Sequence, residues 1–215
     1  MTRTTNARLA GFAFLFYIAV GVPAMILMSR ATNGDGIVAK LASVAQHVGD
    51  VRLAMVLSLL GSCSALVLAV TLYAITREQD AELAMLGMAC RLTEGVAGAV
   101  SLTSTLGLLG LVANQAGAPD AAKQTLGAFL LGDSPLVAAT FFAFGSTFFA
   151  YLLLRGRMIP IGLAWLGLAA SVLLAVGLPL QLGGLLQGPA TRLIWFPMLA
   201  FEVPLGLWLL IKGVK

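Results

Sequence analysis

Three charged side chains, Arg91, Glu94 and Glu202, interrupt apolar runs. One cation and two carboxyls withdrawn from water define a narrow range of chemistry. One carboxyl neutralises Arg91; the second is left to hold a proton or a cation, or to act as an acid or base. Arg91 and Glu94 are three residues apart, which puts them on one helix face and within pairing reach. Gly98, Ser101 and Thr105 continue that face, so the stripe is polar or small throughout and is predicted to point into a bundle. Glu202 stands between Pro197 and Pro204. Each proline removes a backbone donor and is expected to kink the helix around it. Carbonyls freed in this way are tolerated at membrane depth only inside protein or beside water.

The spacing also sets depth. At 1.5 Å per residue, Arg91 lies roughly 13 Å and Glu94 roughly 18 Å from Glu82 at one surface. On the same rise, Glu202 lies roughly 15 Å from Arg192 at the other surface. All three fall near the middle of a hydrocarbon core about 30 Å thick, where a charge costs about 2.5–3.5 kcal/mol to insert. Three arrangements fit this placement. The first is a polar midplane cavity. The second is a buried Arg–Glu network that fixes helix packing, with one acid held neutral by its burial. In the third, Arg91 snorkels to the nearer surface.

The elements that must position these groups are legible from composition. Of 215 residues, 60% are hydrophobic and only 10% charged, against about 25% charged in a soluble domain. So few charges cannot cover a soluble fold of this size. A soluble enzyme, a disordered chain, a coiled coil and a nucleic-acid-binding domain are excluded. What remains is an all-α polytopic membrane protein, with residues 1–215 as a single domain. The charges divide the chain into six expected spans, at about 9–28, 53–75, 83–112, 135–154, 161–186 and 193–211. The first uncharged run, Leu9 to Ser29, is 21 residues long. That is too long for the apolar region of a secretory signal and long enough to cross a bilayer, so it reads as an uncleaved first span.

Helix starts are expected at Asp50, at Asp133 or Ser134 followed by Pro135, at Pro160, and at Thr191. Two further stretches, 37–48 and 121–132, carry apolar residues at helical spacing. They are too short to cross and suit short amphipathic helices lying in the interface. With the N-terminus cytoplasmic, Arg3, Arg8, Arg77, Arg155, Arg157, Lys212 and Lys215 fall on the inner side, and Arg30, Lys40, Arg52, Lys123 and Arg192 on the outer. The inner loops are also the shorter ones. The positive-inside rule then predicts both termini in the cytoplasm and both amphipathic helices on the outer face.

Other reactive residues offer little. His47 is the only histidine, and its segment suggests a solvated polar position. Cys63 and Cys90 lie in apolar runs without a partner at metal-ligand spacing. Gly61, Ser62, Ser64 and Ala65 read as small-residue helix packing. No phosphate loop, no Ser–His–Asp set and no metal or haem site can be assembled, so no catalytic residue, metal or cofactor is expected.

Several stretches resemble a family. They are Asn6-Ala7-Arg8-Leu9-Ala10-Gly11, Val51-Arg52-Leu53, Met158-Ile159-Pro160-Ile161-Gly162 and, most specific, Glu202-Val203-Pro204-Leu205-Gly206-Leu207-Trp208-Leu209-Leu210-Ile211-Lys212-Gly213. Their order is similar to that of an uncharacterised family of bacterial multi-pass membrane proteins, catalogued as a domain of unknown function. The resemblance implies a six-helix protein of the bacterial inner membrane and no assigned activity.

Together these readings predict a non-enzymatic membrane component: transporter-like, a sensor or an accessory subunit. Its partners would be the lipid bilayer and a small or lipid-like ligand, and nucleic acid is not among them. The alternatives are an intramembrane enzyme acting on a lipid or isoprenoid, and a purely structural bundle.

Overall fold

The computed structural model describes residues 2–113, 120–132 and 136–214. Among them the chain forms helices and no strand, as it must if backbone groups are to be satisfied inside lipid. In chain order the helices are α1 (Arg3–Ala31), α2 (Ile37–Gln46), α3 (Val48–Thr76), α4 (Ala81–Ala113), α5 (Asp120–Leu131), α6 (Leu136–Arg155), α7 (Ile161–Leu182), α8 (Ala190–Leu193) and α9 (Phe196–Ile211). Six segments are long and apolar enough to cross a membrane; they contain α1, α3, α4, α6, α7 and α9.

Local chemistry explains most of the boundaries. Thr2 caps α1, its Oγ1 accepting from the Thr5 N–H at 3.1 Å, an arrangement that satisfies one orphan donor. Asp80 does the same for α4 through the Leu83 N–H, also at 3.1 Å. Pro160 immediately precedes α7 as expected. Three expectations are corrected. Asp50 does not cap the second span, because α3 already begins at Val48 and Asp50 lies in its first turn. The fifth span stops at Leu182, not near residue 186: Gly183 and Gly184 follow, and Gly184 takes φ +73°, a conformation glycine adopts without steric cost. Thr191 lies inside the short α8, with its hydroxyl donating to the Gly188 carbonyl. The expected cap at Asp133 or Ser134, and Pro135 after it, lie outside the described residues.

The six spans close into a ring in chain order. α1 packs on α3, α3 on α4, α4 on α6, α6 on α7, α7 on α9, and α9 back on α1. Small residues set the seams. At α1/α9, a Cβ on Gly11 would lie 2.6 Å from the Gly206 carbonyl oxygen, so the two backbones touch. Phe201 of α9 lies against Gly167 of α7, and Phe149 of α6 against Gly87 of α4. The Gly61–Ala65 stretch behaves as its composition suggests. Gly61 and Ala65 are buried, and Ser64 donates across the seam to the Ala13 carbonyl at 2.9 Å. Close backbone approach through small residues is how helices associate where water supplies no driving force. Large apolar side chains such as Val56, Val100, Trp165 and Val176 face outward.

Both amphipathic stretches are helices, α2 and α5, and both lie at one end of the ring. Leu41, Val44, Leu130 and Leu131 pack there with Ala31, Val51 and Leu108. At the opposite end Asp80 pairs with Arg155 at 3.2 Å and Glu78 with Arg3 at 3.7 Å. That second end therefore gathers the start of α1, the α3–α4 turn and the end of α6.

Candidate functional site

Three helices converge on the Arg91 side chain. α4 supplies Arg91 and Glu94 on one face. α1 supplies Phe14 and Tyr17, also three residues apart and so also on one face. α6 supplies Phe142 and Gly145. The Arg91 guanidinium carbon sits 4.8 Å from the centre of the Phe142 ring and 5.9 Å from those of Phe14 and Tyr17. A desolvated cation over an aromatic face gains about 2 kcal/mol or more. Gly145 makes room for the stem: a Cβ there would lie 3.0 Å from Arg91 Cγ.

The cage is closed by an acid. Arg91 Nη1 lies 2.8 Å from Glu94 Oε2. Glu94 Oε1 accepts the Tyr17 hydroxyl at 3.0 Å. Arg91 is only 1% exposed, so the snorkelling arrangement is excluded: the side chain stays in the ring and does not reach a surface.

α9 brings in Glu202, which is 6% exposed. Phe14 links it to the cage: that residue borders the same cavity as Glu202, and its ring centre lies 5.9 Å from the Arg91 guanidinium carbon. Glu202 makes no ion pair with Arg91 among the described residues, and its Oε1 is buried there without a hydrogen-bond partner. Beside it is a cavity with space for about one water molecule, bordered by Phe14, Ser146, Phe149, Met198 and Phe201. Its walls are mainly apolar, with Ser146 and Glu202 as the polar exceptions.

The remaining sequence candidates are dispersed. Gly98 faces α3, where a Cβ would lie 3.1 Å from Ser62 Oγ. The Ser101 hydroxyl is committed to the Gly98 carbonyl at 2.9 Å. Thr105 is half-buried. None of the three borders the cavity at Glu202. Pro204 stands inside α9 and leaves the Ala200 carbonyl without its usual donor. Pro197 is a correction: it does not bend a continuous helix but occupies the first turn of α9, where no N–H is required, just after the break that separates α8 from α9. The chain also breaks between α8 and α9, so a continuous helical rise from Arg192 does not measure the depth of Glu202.

Sequence reading missed Tyr17, Phe14, Phe142 and Gly145. Only Tyr17 carried a signal, a phenol in an uncharged span whose hydroxyl needs a partner once buried. Elsewhere, His47 Nδ1 lies 2.9 Å from the Ser43 carbonyl. Among the described residues no three His, Cys, Asp or Glu side chains converge as a metal site would require.

The model of one protein family, described as a domain of unknown function (DUF4386), matches residues 9–213. No curated protein and no solved structure matches the chain.

Proposed function

The chain belongs to the DUF4386 family, a domain of unknown function, and from that premise we propose that this multi-pass membrane protein works through one positive charge held at Glu202. It is a non-enzymatic component, transporter-like, a sensor or an accessory subunit, with Tyr17, Arg91, Glu94 and Glu202 as its polar centre. One observation carries the reading. Arg91 pairs through Nη1 with Glu94 at 2.8 Å, whereas Glu202 makes no ion pair among the described residues and its Oε1 is buried without a hydrogen-bond partner. An uncompensated charge out of water costs far more than a paired one, and a proton or a small cation supplies the compensation. The one-water cavity gives such an ion a place beside the carboxyl. An intramembrane enzyme would instead need substrate-sized space against the acids.

The setting we propose is the bacterial inner membrane with both termini cytoplasmic. Its support is the basic residues at the Asp80–Arg155 end, where Arg3, Arg8, Arg77, Arg155, Arg157 and Lys212 crowd into short segments.

The test is infrared spectroscopy of the lipid-reconstituted protein while pH and monovalent cation concentration are varied. A carboxyl band that responds in the wild type and vanishes in Glu202→Gln is expected. A spectrum identical in the two proteins would refute the assignment.

A further inference from the structure

We propose that the groove between the beginning of α3 and the end of α4 is a binding site for an anionic phospholipid, independent of the polar centre. The groove holds about 520 Å³ and is walled by Met55, Val56, Leu106, Leu109 and Gly110, with Arg52 at its rim. Its walls face outward: Val56 and Leu106 are both more than half exposed. In a membrane-spanning bundle such a surface meets acyl chains, so a lipid is the occupant its surroundings provide.

Arg52 decides which lipid. It is five residues into α3, counting Val48 as the first, which places it at headgroup level when the span begins at the interface. It is exposed and makes no ion pair or side-chain hydrogen bond among the described residues. The rim thus presents an unpaired guanidinium, whose planar fork suits a phosphate. Below it, the apolar wall runs from Ala113 down to Leu106, about 10 Å along the helix, enough for the upper part of one acyl chain. Charge at the rim and an apolar slot beneath it match the two halves of a negatively charged phospholipid.

Gly110 offers a clean probe, because a Cβ there would meet nothing within 4 Å. A larger side chain fills the groove without disturbing the fold. The experiment is native mass spectrometry of the full chain in detergent, with phosphatidylglycerol and phosphatidylcholine of identical acyl chains added separately. The wild type is expected to retain phosphatidylglycerol about fivefold better, the ratio a single basic side chain at a membrane surface supplies. Arg52→Gln should bring the two lipids level, and Arg52→Lys should keep part of the preference. Gly110→Leu should lower retention of both. Melting temperatures of the variants should match the wild type, which separates lost binding from lost fold. The proposal is overturned by an undiminished preference in Arg52→Gln, by unchanged retention in Gly110→Leu, or by an equal loss in Arg30→Gln, which would indicate diffuse surface charge.

Discussion

At the scale of residues, the centre of the molecule is an arginine packed among aromatic rings and paired with one acid. Three aromatic rings cover the Arg91 guanidinium and Glu94 takes its charge. Breaking such a pair from one side is costlier than deleting it, because it strands a charge. Glu94→Gln is therefore expected to destabilise the protein by about 3–5 kcal/mol, while Arg91→Met combined with Glu94→Leu should recover most of that loss. Unfolding in detergent, read as a double-mutant cycle, checks the sign of the coupling. Full additivity would mean that the two side chains act independently. The charged members of the cluster were legible in the sequence because each interrupts a long apolar run. Their surroundings were not. Phe14 and Phe142 look like any lipid-facing phenylalanine until the ring turns them inward. No spacing rule links Tyr17 to Glu94, which is 77 positions further on.

At the scale of elements, glycine decides which helix faces meet. Gly11 on α1 lies against the α9 backbone, whereas a Cβ on Gly21 of the same helix would meet nothing within 4 Å. Gly11→Leu is expected to open the α1/α9 seam at a cost above the usual 1–3 kcal/mol of overpacking, because backbone atoms cannot move aside. Gly21→Leu should stay within about 0.5 kcal/mol of the wild type. Size-exclusion profiles and melting temperatures compare the two, and equal behaviour would contradict the seam. The six spans were readable because charges and loops punctuate them. The finer boundaries are set where local backbone chemistry overrides hydropathy: the fifth span stops at Leu182 although the apolar run continues, and Pro197 falls in the first turn of α9 although the sequence places it well inside a span.

At the scale of the whole molecule, the ring makes neighbours in sequence neighbours in space and then joins the last span to the first. It also sorts the ends, with Asp35 beside α2 at one and Glu78 in the α3–α4 turn at the other; both are exposed. In a background with Cys63 and Cys90 replaced by Ala, Asp35→Cys should react with a membrane-impermeant maleimide in intact cells. In the proposed orientation, Glu78→Cys should react only after the membrane is opened. The reverse pattern would invert the orientation. The i, i+3 spacing of Arg91 and Glu94 has a further consequence, for biogenesis. The two side chains leave the ribosome almost together and can enter the bilayer as a self-neutralised couple before α6 arrives to enclose them. Glu202 is made after every other span is complete and carries no partner on its own helix. Its charge must therefore be neutralised on insertion by a bound proton or by groups on helices already in place.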